Sequence, residues 1–555
     1  MWGRCWAALA AIAVVCGLVT GSASAATRYI RGDSLLAAGA CTDPANPCMA
    51  AYVLNGPTPA AQDGDTVVAP RSFAPFNVAS QISIQKAITL RGEDGARPSF
   101  YGSLGTTIFS LGVPGVHLSH LRVQNSNTSS GAVSTSASAM IDDAVIDGAG
   151  YSLSAGTGSL TMTDTLLRCG ATAFSCVSVN AGANPVTLSR VHIDDSVAPP
   201  NNGGAGQVVG TDVLVEDSTF SATASGLTVL ASTAGTMRRV TATAGNTALT
   251  VVGPMVVTDS VLVSTVSGAG VTTAGSQTLQ LRNVTAIGRG SQAYGVTAGG
   301  GQNVFGAITP APAIVARNVI ARGDTADLNA AAGVCFSPPC VVPPPNGSLT
   351  IDHSNFRTTA GTGTIAGGAG NQSGDPKFAG ADDFHLLAGS PAIEAGLADP
   401  LDGPTDLDGH PRVAGAAPDI GAYEGTPPAA PPTPAPTDKT PPTLAAVKIY
   451  EKGALIRFNV SEAGKATVTI NQLLRGRKSG KRCVKSTPKL RRAKRCTRHV
   501  KVRSKVISVT AGANFIEGKA LKPGTYEVVL TAVDAAGNKA TKTTKLVVRR
   551  AAKKR

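Results

Sequence analysis

Three groups of residues in this chain have types and spacing suited to chemistry. The first is a set of carboxylates, Asp142, Asp143, Asp164, Asp194, Asp195, Glu216 and Asp217, recurring through one stretch. If that stretch stacks as parallel strands ~4.8 Å apart, acids on neighbouring rungs approach the ~5–5.5 Å that a retaining glycosidase needs between its two carboxyl groups. The competing reading, that these acids solvate coil edges and turns, is the better supported. The second group is a run of cations. From Arg475 to Lys505 there are 15 Lys or Arg and no Asp or Glu. Within it, Arg475, Arg477, Lys478, Lys481, Arg482, Lys489, Arg491, Arg492, Lys494, Arg495 and Arg498 are candidates to hold a polyanion. A solvated charge run is the bland alternative, but like charges at this density repel unless counterions or a polyanion offset them. The third group is Asp402, Asp406 and Asp408, which offer oxygen ligands to Ca²⁺. Their spacing matches no complete calcium loop, and turn-forming hydrogen bonds are the commoner use of such Asp residues.

The elements that would position these groups are written in a repeated frame. The run Val213-Leu-Val215-Glu-Asp217-Ser-Thr-Phe220 returns as Met255-Val-Val257-Thr-Asp259-Ser-Val-Leu262 and as Leu279-Gln-Leu281-Arg-Asn283-Val-Thr-Ala286. Anchored on its polar residue, the frame has ten copies: His120, Asp143, Asp164, Arg190, Asp217, Arg239, Asp259, Asn283, Asn318 and His353. The residues two before and three after each anchor are apolar in every copy. Successive anchors lie 23, 21, 26, 27, 22, 20, 24, 35 and 35 residues apart, a period in which each unit buries its apolar face on its neighbours. Alternation before the anchor has the period of a strand, so the unit reads as short strand, bend, short strand. The coils are too poor in Leu for a leucine-rich repeat and too short for a propeller blade. The fold class is therefore all-β: a right-handed parallel β-helix solenoid, with handedness taken from the general preference of parallel crossovers. From Asp164 to Asp259 the anchors alternate in sign, which predicts a charge ladder that fixes register. Asn283, Asn318 and His353 would extend it by hydrogen bonding.

The chain begins Met1-Trp-Gly-Arg4, with an apolar run from Ala7 to Val19 and a small-residue site at Ala23-Ser-Ala25. This predicts a secretory signal peptide over residues 1–25 and no membrane span after its removal. Beyond it, eight cysteines fall into local pairs, predicting disulfides Cys41–Cys48, Cys169–Cys176, Cys335–Cys340 and Cys483–Cys496. Both tryptophans, Trp2 and Trp6, lie in the leader, which argues against a sugar-stacking groove. Charge is divided unevenly: residues 438–555 hold 30 Lys and Arg against 6 Asp and Glu, and the remainder holds 19 against 29.

In order, residues 26–80 read as an N-terminal cap and first coils, with Lys86 as the anchor of a rough early frame. Residues 81–374 are the β-helix, and the two 35-residue steps carry insertions. Residues 375–424 read as a C-terminal cap, 425–442 as a Pro-rich linker, and 443–548 as a β-sandwich with a basic insertion at 473–499. A basic tail, 549–555, ends the chain. The closing segment runs Asp383-Phe-His385-Leu-Leu, Gly389-Ser-Pro-Ala-Ile-Glu394, Asp406-Leu-Asp408-Gly409 and Asp419-Ile-Gly421-Ala-Tyr-Glu424. It resembles the choice-of-anchor Q segment that closes many bacterial secreted β-helix proteins of pectate-lyase-like fold. It departs from that pattern at Glu394, where Asp is usual. The resemblance implies a surface or extracellular protein with an anchoring element downstream, and no enzyme activity. Leu521-Lys-Pro523-Gly524-Thr-Tyr526 looks like the tyrosine-corner stretch of immunoglobulin- and fibronectin-like sandwiches.

Three roles follow, in decreasing order of support: a structural or adhesive module, a glycan-binding protein without chemistry, and a polysaccharide lyase or glycoside hydrolase. The pectate-lyase-like resemblance implies cleavage of acidic polysaccharide with Ca²⁺ and an Arg base, but none of those catalytic patterns maps onto this chain. The expected partner is an anionic cell-envelope polymer or acidic polysaccharide. Nucleic acid is not expected, because the cationic run lacks aromatic residues for base stacking. No cofactor is expected apart from Ca²⁺ at the Asp402, Asp406 and Asp408 group.

Overall fold

The structure is a computed structural model describing residues 25–31, 39–55, 60–70, 75–93, 96–170, 175–195, 204–304, 307–336, 340, 342–425, 439–450 and 454–549. The expected leader, most of the linker, and Arg550, Lys553, Lys554 and Arg555 lie outside the described residues. The described chain is nearly all β, about 2% helical, and its main body is a parallel β-solenoid of about nine turns.

Most coils have three strands, not the two that the frame suggests; in Met255–Ser264 and Thr278–Gly288 the first two run together through the corner. One coil comprises Ala139–Asp142, Val145–Gly148 and Tyr151–Ala155. The third strand keeps no fixed offset from the anchor, because the bend before it varies. It starts three residues after Gly148 in this coil and eight after Cys169 in the next. The predicted register holds. Residues two before the anchor pair in sequence as Leu118, Ile141, Met162, Leu188, Val215, Met237, Val257, Leu281, Ala316 and Ile351, and all are buried. Residues three after the anchor form a second buried row, except Phe356 on the last coil, which is only partly buried. Lys86 is not an early anchor. Leu90 pairs with Leu118 and Arg91 with Ser119, so Gly92 stands in register with His120. At the N-terminal end, helix Ala50–Leu54 lays Val53 and Leu54 into the core beside the Cys41–Cys48 bridge.

The anchor is a conformational device. All ten anchor residues have positive φ, from 43° to 56°. Left-handed backbone costs an L-residue roughly 1–2 kcal/mol, and Asn, Asp and His tolerate it best. It turns the chain through a corner without breaking the ladder between coils: the anchor N–H still reaches the next coil, as from Asp143 to Thr163 O at 3.1 Å and from Arg190 to Glu216 O at 3.0 Å. The next residue points inward. Where it is Ser, its hydroxyl accepts the N–H of the equivalent residue one coil earlier: Val191 N to Ser218 Oγ 3.0 Å, Val240 N to Ser260 Oγ 3.1 Å, Val319 N to Ser354 Oγ 2.9 Å.

Residues 375–424 do not stack as a further coil. They fold back along the flank, packing Phe384 and Ala422 on Val261, Val263 and Ile287, and Leu386, Ala392 and Ile420 on Ile320. After the linker come two antiparallel sheets. Leu444–Tyr450, Leu455–Val460 and Gly512–Glu517 form one; Gly464–Ser479, Arg482–Val484, Arg495–Val509, Gly524–Asp534 and Lys539–Val548 form the other. Phe458 and Ile516 from the first meet Val468, Ile470 and Leu530 from the second in one buried cluster. The Tyr526 hydroxyl donates to Lys522 O at 2.7 Å, which ties the loop before its strand.

Candidate functional site

The corner row carries most of the carboxylates picked from sequence, and cations neutralise them. Arg190 grips Asp164 with Nε and Nη2 at 3.0 and 2.9 Å, and Arg239 grips Asp217 at 2.6 and 3.0 Å. The charge ladder therefore forms, each arginine reaching back one coil. Where alternation fails, an arginine arrives from elsewhere. The like-charged neighbours Asp143 and Asp164 receive Arg457 from the C-terminal sheets, and Arg97 reaches Asp143 at 2.5 Å. Asp259, followed by uncharged Asn283, receives Arg412 at 3.1 Å. Asn318 donates to Asn283 at 2.9 Å, and Asn283 donates to Asp402 at 2.8 Å.

The other carboxylates fare similarly. Burial pushes the Asp142 carboxyl up, but hydrogen bonds from His117 and Ser119 outweigh it and hold it below the usual range. Glu216 accepts from Arg238 Nε at 2.8 Å. Asp194 is paired in register with Arg168. Burial, joined by the charge of Asp194, pushes Asp195 up to about 7. That proton-holding carboxyl is 0% exposed, so it cannot meet a polymeric substrate.

Beside the ladder, a cleft of about 360 Å³ opens between the solenoid and the C-terminal sheets. Arg97, Asp164, Arg190, His192, Arg457 and Phe515 line it. The His192 and Phe515 rings meet edge to face at 5.8 Å. Sequence reasoning missed it, because it joins residues hundreds of positions apart.

In the closing segment the three calcium candidates are each engaged. Asp402 accepts from Asn283 and from Asp399 N at 2.7 Å. Asp406 accepts the N–H groups of Asp408, His410 and Glu424 at 3.0, 2.7 and 2.9 Å, shaping the turn. Asp408 meets His385 Nε2 at 2.7 Å. Among the described residues, no three His, Cys, Asp or Glu converge on a metal position. His385 is held on its other nitrogen by Asp383 at 2.5 Å and stacks on Tyr423 at 3.9 Å. The hydrogen bond to Asp408, joined by Asp383 and opposed by burial, pushes the His385 imidazole up to about 9. Around Arg412, burial pushes the Asp259 and Asp419 carboxyls up and Glu424 to about 7, against the pull of the arginine.

The predicted basic insertion is a projecting ribbon. Gly464–Ser479 and Arg495–Val509 pair antiparallel along their whole length, but Gly524–Asp534 covers the first only as far as Gln472. Residues 473–499 therefore run on past the sheet, with Arg482–Val484 added on the far side. Cys483–Cys496 staples them. The other three predicted bridges, Cys41–Cys48, Cys169–Cys176 and Cys335–Cys340, are also present. Among the described residues, none of the eleven candidate cations forms an ion pair with an acid. The nearest carboxylate partnership is His499 with Glu527 at 2.8 Å, at the root of the ribbon.

No family model matches this chain, and no curated protein matches it. Among solved structures, it is similar to the A-module of the Azotobacter vinelandii mannuronan C-5 epimerase AlgE6, at 11% identity and TM-score 0.33. That match covers 56% of this chain and 91% of that one. It is also similar to the tailspike protein of Acinetobacter phage vB_ApiP_P1, at 8% identity and TM-score 0.23, covering 86% and 78%. The fold itself rests on the strand register above.

Proposed function

We propose that this is a secreted or cell-surface β-helix protein acting as a structural or adhesive module, retained on anionic envelope polymers by its basic ribbon. One observation carries the reading: a disulfide-stapled ribbon holds the eleven candidate cations outside the sheet with no acid paired to them among the described residues. Holding like charges on so small an element is unfavourable unless counterions or an external polyanion offset them. Four local disulfides suit an oxidising compartment. Among the described residues no helix is long and apolar enough to cross a membrane. The leader-like residues 1–25 and the choice-of-anchor Q-like closing segment point the same way.

A second reading, binding or cleavage of polysaccharide by the solenoid, is favoured by the cleft beside the ladder. Both readings are tested by passing the purified full chain over immobilised acidic and neutral polysaccharides and scoring retention and chain cleavage. Salt-sensitive retention on acidic polymers alone, without cleavage, supports the first. Cleavage, or retention on neutral glycans, overturns it in favour of the second.

A further inference from the structure

The ribbon's two faces differ in chemistry, and strand register assigns each residue to one. Residues opposite each other in an antiparallel pair share a face. Arg475 opposes Thr497, Arg477 opposes Arg495 and Val484, and Ser479 opposes Arg482. One face therefore collects Arg475, Arg477, Arg482 and Arg495, with Lys501 further down. The other face collects Lys478, Cys483, Gly476, Cys496 and Arg498. Gly476 confirms the assignment: a Cβ there would lie 2.7 Å from Cys483 Sγ, so the bridge passes over a strand position that only glycine leaves empty. The two cysteines sit on strands flanking a common central one. Flat strands would place them ~9.6 Å apart, twice the strand spacing, but their Cα atoms are 6.0 Å apart. The ribbon therefore curls toward its disulfide face and leaves the arginine face convex and outward. Glu527, opposite Asn471, bounds that face at its root.

The cations on the convex part of the ribbon are arginines, whereas Lys478 shares the disulfide face with Arg498, and Lys489 and Lys494 flank the end turn with Arg491 and Arg492. Guanidinium is a planar fork that binds the paired oxygens of a carboxylate or a phosphate through two parallel hydrogen bonds, while ammonium is a point charge. Along a strand, Arg475 and Arg477 stand two residues apart, ~6.8 Å, and Arg495 sits beside Arg477 one strand spacing away. Arg475, Arg482 and Arg495 stand as exposed forks on this ridge, while half-buried Arg477 donates Nη1 to Ala493 O at 2.6 Å and braces it. The geometry points to the arginine face as the binding surface for a carboxylated polysaccharide, an extended polymer with one carboxylate per repeat. The inference rests on the retention reading above and adds to it the face and the class of anion.

The test uses the full chain and three probes: polygalacturonate, polyphosphate and uncharged dextran. Three variants are compared with the parent: Arg475→Gln/Arg482→Gln/Arg495→Gln on the ridge, the charge-matched Lys478→Gln/Lys489→Gln/Lys494→Gln off it, and Arg475→Lys/Arg482→Lys/Arg495→Lys. Mapping of Cys483–Cys496 without reduction checks that each ribbon is formed. The expected result is parent binding to polygalacturonate, lost at least ~tenfold in the ridge Gln variant, with the salt slope reduced by about one per lost contact. The off-ridge variant keeps most of its affinity, and the Lys-for-Arg variant falls although its charge is unchanged. Equal losses in both Gln variants overturn the face assignment while leaving electrostatic retention standing. Tighter binding to polyphosphate than to polygalacturonate overturns the carboxylate assignment, and a Lys-for-Arg variant that binds as the parent does overturns the role of the forks. If the parent binds neither polyanion at low salt, both the inference and the retention reading fail.

Discussion

Ser260 has one hydroxyl doing two jobs at a buried corner. It donates to Thr258 O at 2.6 Å and accepts from Val240 N at 3.1 Å, with 0% exposure. Ser260→Ala leaves a buried N–H without a partner, which costs about 1–3 kcal/mol, so the urea midpoint of the solenoid transition falls. An unchanged midpoint would show that the corner does not need this bond. His385 makes a pH-dependent contribution. Its folded pKa, about 9, lies above the ordinary value near 6.5. The stability it lends the closing segment is therefore complete below about pH 6.5 and lost as pH rises through about 9. Proteolysis of residues 375–424 should quicken across that window, and Asp383→Asn/Asp408→Asn should flatten the dependence. These residue roles were only half legible in sequence. The anchor was visible as a recurring polar position, but its left-handed backbone was not, because Arg190 and Arg239 stand where Asn, Asp or His would have signalled it. The inward Ser beside it, as in Asp217-Ser218 and Asp259-Ser260, gives way to Val284 beside Asn283, so no fixed residue type marks the position in sequence.

At the scale of elements, the solenoid register was legible because its apolar positions keep fixed offsets from the corner, and a one-residue slip would expose a whole row. The third strand escaped because its bend varies in length. The flank docking of residues 375–424 escaped because those contacts are long-range, as between Asp259 and Arg412, 153 residues apart. A signal for it was nevertheless on the page: the two breaks in sign alternation, after Asp143 and after Asp259, are where Arg457 and Arg412 insert. Arg412 is 3% exposed and also holds Glu424, with Nε to Oε1 at 2.8 Å. Arg412→Met strands two buried carboxylates, and loss of one partner from a buried pair costs about 3–5 kcal/mol. The variant should release the closing segment to protease while the solenoid coils stay protected. Adding Asp259→Asn should recover part of the loss. A closing segment as resistant as the parent's would mean that its apolar contacts alone hold it. The ribbon shows the opposite limit: its charge was plain in sequence, but which arginines share a face depends on a register no local pattern states.

Over the whole molecule, charge and architecture divide together. The solenoid-bearing part carries 19 Lys and Arg against 29 Asp and Glu, and its carboxylates on the corner row are spent on internal cations. Residues 438–555 carry 30 against 6, with the excess gathered on a stapled projection. The body is thus acidic with its corner-row carboxylates largely paired, Arg457 of the C-terminal sheets among the partners, and the ribbon presents charge outward. This division is the basis for assigning attachment to the ribbon. The most direct measurement is co-sedimentation of the full chain with isolated cell envelopes as salt is raised, beside a variant with the eleven ribbon cations replaced by Gln. The account predicts that the parent pellets at low salt and is released steeply as salt rises, while the variant stays in the supernatant throughout. A parent chain that remains soluble at low salt, or a variant that pellets as well as the parent, contradicts it.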